Sequence, residues 1–184
     1  PKAWLNDPEG TIFKDQPTKT YKMPGWIEEG GAEFAGPILA TQYDNSIDAR
    51  KLFEASLDEA KGVISTAASN GDTVSLRDYE FAGYLYESED NPNNGIAREF
   101  AYQYTGGQWA HLYLWSLDDS NYEKLMIEYY RNWAENESKN PGEGWRTTFE
   151  DLFDMTIDDF YRDFDAFMLK DKSVQMSILP SNEE

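Results

Sequence analysis

The sequence predicts an all-α protein: a compact multi-helix domain over residues 25–172, an extended N-terminal arm over 1–24 and a tail over 173–184. Three observations predict it. Apolar residues recur at three- and four-residue steps through most of the chain. Helix-start pairs, Ser or Thr followed three positions later by Asp or Glu, stand before four of these runs. No convincing strand ladder and no internal repeat is found. At 184 residues the chain has the length of one ordinary domain.

Pro1, Pro8, Pro17 and Pro24 break any helical period in the arm, and Trp4, Leu5, Ile12, Phe13 and Tyr21 are its expected anchors on the body. Trp26, Ile27, Phe34 and Ile38 begin a helix rich in small residues that Pro37 is expected to bend or end. Asn45 or Ser46 should cap the next helix, whose apolar face carries Ala49, Leu52, Phe53, Ala60, Val63 and Ile64. Asn70, Gly71 and Asp72 form a turn, and Ser75 with Asp78 opens another helix. The polar loop over residues 87–95 reads either as a solvated turn or as a calcium loop, but Pro92 and Ala101 fall where an EF-hand needs ligands.

Beyond the loop, Gly106 and Gly107 precede Trp109, Ala110, Leu112, Tyr113 and Leu114, a nearly all-apolar helix expected at the centre. Ser120 with Glu123 should cap a helix carrying Leu125, Met126, Tyr129, Tyr130 and Trp133. Thr147 with Glu150 repeats the device before Phe149, Leu152 and Phe153. Thr156 with Asp159 does so before Phe160, Tyr161, Phe164, Phe167 and Met168. After Lys172 little period remains, so the tail is expected to fray.

Composition narrows the function classes. Lys and Arg number 16 against 35 Asp and Glu, a net charge of −19 that repels phosphate backbones, so nucleic acid is excluded as a partner. No apolar run reaches the ~20 residues of a membrane span. Zero Cys removes disulfides, thiolate nucleophiles and Cys-type zinc sites. The compartment stays open, with a secreted or periplasmic location favoured. P-loop, dinucleotide-fold and nucleophile-elbow motifs are missing. Trp109, Trp115, Trp133 and Trp145 recur at helical spacing and are assigned to core packing before sugar stacking.

The most informative segment is Trp26-Ile27-Glu28-Glu29-Gly30-Gly31-Ala32-Glu33-Phe34. On a helix Glu29 and Glu33 share one face, with two glycines beside them. Like charges so placed either face water or call for a cation or donor. The only histidine, His111, lies in an apolar helix. It reads as a core histidine bonded to a backbone carbonyl, or as a donor to an oxyanion, a role open also to Tyr102 or Tyr104.

The Glu29 segment resembles the Trp-x-x-Glu-Gly-x-Ala-x-aromatic stretch of gluzincin zinc metallopeptidases. Tyr104, Gly107, Ala110 and Leu114 are similar to the helix that follows in bacterial members. Phe149, Phe153, Asp154, Met155, Thr156, Phe160, Tyr161 and Phe164 resemble the closing signature, with Asp154 where the family has Gly. The resemblance implies that Glu29 is the third zinc ligand and that Glu33 supports a zinc-binding histidine. It implies hydrolysis of a peptide or protein substrate by metal-activated water.

The chain departs from the family in lacking His-Glu-x-x-His, so it is expected to be inactive as numbered. Zinc is expected only if a partner segment carrying that motif, the N-terminal part of the same protein, is present; otherwise there is no cofactor. Pro1 in place of Met favours truncation over a relative that lost its metal. The competing class is a non-catalytic helical binding or structural module without a metal site.

Overall fold

The computed structural model of the chain describes residues 23–80 and 100–180. The arm over 1–22 and the 87–95 loop with its calcium reading lie outside the described residues. Among those described, every regular element is helical and none is a strand.

Helix α1 spans Gly25–Tyr43. Gly25 N–H donates to the Glu80 carbonyl at 3.0 Å, which ties the start of α1 to the end of the short 3₁₀ turn Leu76–Tyr79. Of the two outcomes expected of Pro37, to bend α1 or to end it, the second does not occur, since α1 runs through Pro37 to Tyr43. Proline lacks an N–H, so the carbonyl one turn earlier, that of Glu33, loses its helical donor. Gln108 fills the gap, donating from Nε2 to the Glu33 carbonyl at 2.6 Å.

Helix α2, Ala49–Ser69, is capped by Asp48, whose carboxylate accepts the Lys51 N–H at 3.2 Å. The expected caps Asn45 and Ser46 lie before it, and Ser46 instead bonds Asp44. Ser75 and Asp78 do form a reciprocal capping box, on the 3₁₀ turn. Helix α3, Phe100–Leu117, runs through both glycines and is the central element, packed against α1 along one side and α2 along another. Trp109 binds it to α2 by donating from Nε1 to the Phe53 carbonyl at 3.1 Å.

The next stretch is one continuous helical run of three parts: α4 Asn121–Glu123, a π-helical segment Lys124–Glu128, and α5 Tyr129–Lys139. Ser120 gives no side-chain cap; its own N–H donates to Asp118 at 2.8 Å. Helix α6, Gly144–Phe153, starts earlier than expected, so Thr147 lies inside it and bonds the Glu143 carbonyl. Helix α7, Ile157–Met168, begins at the expected Thr156–Asp159 cap. It buries Ile157, Phe160, Tyr161, Phe164, Phe167 and Met168 on one stripe.

Residues 172–180 do not fray. The short α8, Lys172–Met176, docks because Gln175 donates to the Phe167 and Met168 carbonyls at 3.1 and 2.9 Å, and Leu179 is buried beyond it. The core is strongly aromatic: Trp26 stacks on Phe160 at 5.4 Å, Phe160 on Phe164 at 5.8 Å, and Trp109, Trp133 and Trp145 are buried. Trp26 also donates from Nε1 to the Tyr161 hydroxyl at 2.9 Å, which satisfies a buried donor and joins α1 to α7.

Candidate functional site

The double glycine decides how α1 presents its acids. A Cβ on Gly30 would lie 2.5 Å from the Gly107 Cα, and one on Gly107 would lie 2.9 Å from the Gly30 Cα. The two helix backbones touch there, and only hydrogen side chains permit it. A Cβ on Gly31 would strike the Tyr130 hydroxyl and come within 3.1 Å of His111 Nε2. Gly30 and Gly31 therefore form the buried side of α1.

Each helical residue turns about 100° from the last, so Glu29 and Glu33, two positions either side of Gly31, project about 200° away from it. They share the opposite face, one turn apart. Glu29 is half-buried and Glu33 is exposed. Among the described residues no group of three or more His, Asp or Glu is gathered as a metal would require.

His111 is 2% exposed and lies between Trp26, edge-on at 5.9 Å, and Phe34, stacked at 5.6 Å. Its Nδ1 meets the Gly107 carbonyl at 2.8 Å. Burial pulls its pKa down to about 4, the Gly107 contact acting weakly the other way. The ring is thus neutral near pH 7. Tyr130 is buried too, and its hydroxyl donates to the Ile27 carbonyl at 3.4 Å. Burial, and next the Glu28 charge, push that phenol well above its usual range. His111 and Tyr130 line a cavity of about 10 Å³ with Trp26, Leu125 and Phe149.

The other sequence candidates lie elsewhere on α3. Tyr102 is buried against Tyr79 at 5.5 Å, and its hydroxyl has no partner among the described residues. Burial, then Asp165, raises its pKa strongly. Tyr104 is half-buried. Both are about 10 to 14 Å from His111 along the helix axis, so the three do not form one constellation. Gly31 likewise separates Glu29 from His111: one faces away from the core and the other into it.

Two residues escaped the sequence reading. Tyr130 was visible only as one more aromatic in a periodic run. Gln108 had a signal, because Pro37 inside a helix predicts an unserved carbonyl at Glu33, but nothing local named the residue that would serve it. Among known protein families, curated proteins and solved structures, none matches the chain.

Proposed function

We propose that this helical body is the C-terminal part of a zinc-dependent metallopeptidase-like protein, with Glu29 as one zinc ligand and Glu33 orienting a second. One observation carries the reading. The segment that resembles the gluzincin stretch is a single helix whose glycines are locked to α3, leaving Glu29 and Glu33 together on the opposite face. A carboxylate held on a rigid helix suits a ligand, since its position is fixed before the metal arrives.

The donor set of the described residues is incomplete for zinc, which takes three protein ligands and keeps a fourth position for water. Glu29 would supply one; two histidines would come from a segment outside this chain. Zinc, when bound, supplies an activated water for attack on a peptide carbonyl. This chain's share is to hold the Glu29 carboxylate in place, to orient a histidine through Glu33, and to wall the substrate cleft with its later helices. Tyr104, the least buried of the three candidates on α3, is the one best placed to reach a substrate.

The test joins the chain to the residues that precede it in its parent gene and measures bound zinc after dialysis. The expected result is one zinc per chain, lost in Glu29→Gln and held about 10- to 100-fold more weakly in Glu33→Gln. A parent gene without a histidine pair, or a Glu29→Gln protein that retains zinc, would leave the non-catalytic helical module as the reading.

A further inference from the structure

Four charged residues of α2, Arg50, Glu54, Asp58 and Lys61, follow one another at steps of four, four and three positions and so fall on one stripe of the helix. All four reach the same short stretch of chain, residues 170–176. Arg50 Nη2 donates to the Met176 carbonyl at 3.0 Å. Lys61 Nζ donates to the Lys170 carbonyl at 2.9 Å and to Gln175 Oε1 at 3.1 Å. Between these two cations, Glu54 and Asp58 hold Lys172 Nζ at 2.9 and 2.7 Å. The stripe thus grips the start of α8 with its acids and the carbonyls on either side with its bases.

The stretch gains little from burial. Helix α8 has five residues and no side-chain cap at its start, too short to persist as a helix by itself. Leu169 and Val174 are 75% and 44% exposed, and Leu179 is the one fully buried apolar side chain, with Met176 and Ile178 partly covered. The other buried residue is polar. Gln175 donates to the Phe167 and Met168 carbonyls at the end of α7 and accepts from Lys61, so a single amide pins the stretch to α7 and α2 at once. Ion pairs at the surface contribute little each and weaken as salt screens them. We propose that residues 170–180 form a strap over α2 and the end of α7, which opens as one unit while the body stays folded and whose closure is set by ionic strength. Opening bares the seat of Leu179 and the charged stripe of α2, and it leaves α7 packed on its own aromatic stripe. The device stands whether or not Glu29 binds zinc.

Native-state hydrogen exchange on the full 184-residue chain tests it. The Val174, Gln175, Ile178 and Leu179 amides, each bonded to a carbonyl of the same stretch, should share one opening constant. That constant should be at least about 10-fold larger than for amides of α3. Raising NaCl to about 0.5 M should increase strap opening about 2- to 5-fold and leave α3 unchanged. Lys172→Met keeps the stem and removes the charge, so it should open the strap by a similar factor and reduce the effect of salt. Gln175→Leu keeps the bulk and removes the pin, and opening should rise at least about 10-fold in the strap alone. Strap amides that open no more often than those of α3 would place the stretch in the cooperative body and overturn the proposal. So would separate opening constants within the strap, an opening indifferent to both salt and Lys172→Met, or a Gln175→Leu protein in which α3 exchange rises by the same factor.

Discussion

Gln108 of α3 gives the Glu33 carbonyl of α1 the hydrogen bond that Pro37 withholds, at 2.6 Å. The same side chain accepts from Ser56 of α2 through its Oε1, so one buried amide serves three helices. Replacing it by Leu should strand the Glu33 carbonyl, while the Ser56 hydroxyl keeps the Phe53 carbonyl as its acceptor, and cost about 1–3 kcal/mol. In a Pro37→Ala background the restored Ala N–H covers the carbonyl, and the cost of Gln108→Leu should fall by about 1 kcal/mol. Urea titrations of the four proteins measure this coupling. Equal costs in both backgrounds would mean that Gln108 does not compensate for the proline.

The Gly30–Gly107 contact predicts a sharp contrast among glycines. Gly30→Ala or Gly107→Ala must push α1 off α3 and should destabilise the fold by at least about 1–3 kcal/mol. Gly62, in α2, has nothing within 4 Å of its Cβ position. There Ala should stabilise by about 0.5–1 kcal/mol through helix propensity. Thermal midpoints of the three variants should therefore move in opposite directions.

The buried His111 sets a pH dependence whose sign is fixed. Its folded pKa, about 4, lies below the free value of 6.5, so the unfolded chain takes up a proton first as pH falls. Stability from this residue is complete above pH 6.5 and declines as pH falls towards 4, by about 3 kcal/mol in all. His111→Gln should flatten the slope of unfolding free energy between pH 6.5 and 5 by roughly 1 kcal/mol per unit. Glu137 works in the opposite sense. Its buried carboxylate accepts the Gly142 and Gly144 N–H groups at 2.6 and 2.9 Å, yet burial still raises its pKa, so acidification favours its folded form. A slope unchanged by His111→Gln would show that the imidazole is not held neutral.

Asp154 closes α6 in the left-handed conformation, φ 52° and ψ 37°, and is the only non-glycine with positive φ among the described residues. A Cβ costs free energy there, which accounts for glycine as the residue suited to this point of the signature that the segment resembles. Asp154→Gly should stabilise the protein by about 0.5–1 kcal/mol, since the side chain is exposed and contributes little packing. Loss of stability on that change would mean that the carboxylate makes a compensating interaction.

Much of the fold was legible in the chain. The apolar steps of α7 read true because its buried stripe is narrow and its Thr156–Asp159 cap is local chemistry that distant packing need not supply. Other caps misled. Ser120 and Glu123 have the right spacing, but Asp118 reaches the Ser120 N–H and takes the task. Thr147 has the spacing too, but α6 begins upstream, where Glu137 bonds the Gly142 and Gly144 N–H groups across the turn. Residues 172–180 were expected to fray because α8 has little amphipathic period; they are held by buried Gln175 and Leu179, contacts made to residues already folded.

At the candidate site the division is similar. The sequence by itself determined that Glu29 and Glu33 share a helix face and that two glycines separate them, because helix geometry fixes spacing whatever surrounds it. It also left the chain a single imidazole and no thiol. Only the tertiary structure decided that Gly30 is for the α3 backbone and Gly31 for Tyr130 and His111, that His111 lies among aromatic rings, and that Gln108 serves the one carbonyl of α1 that Pro37 leaves without a donor. Those facts depend on which helix crosses which, at what depth and in what register. Contacts between residues 75 or more positions apart follow from packing the whole aromatic core at once.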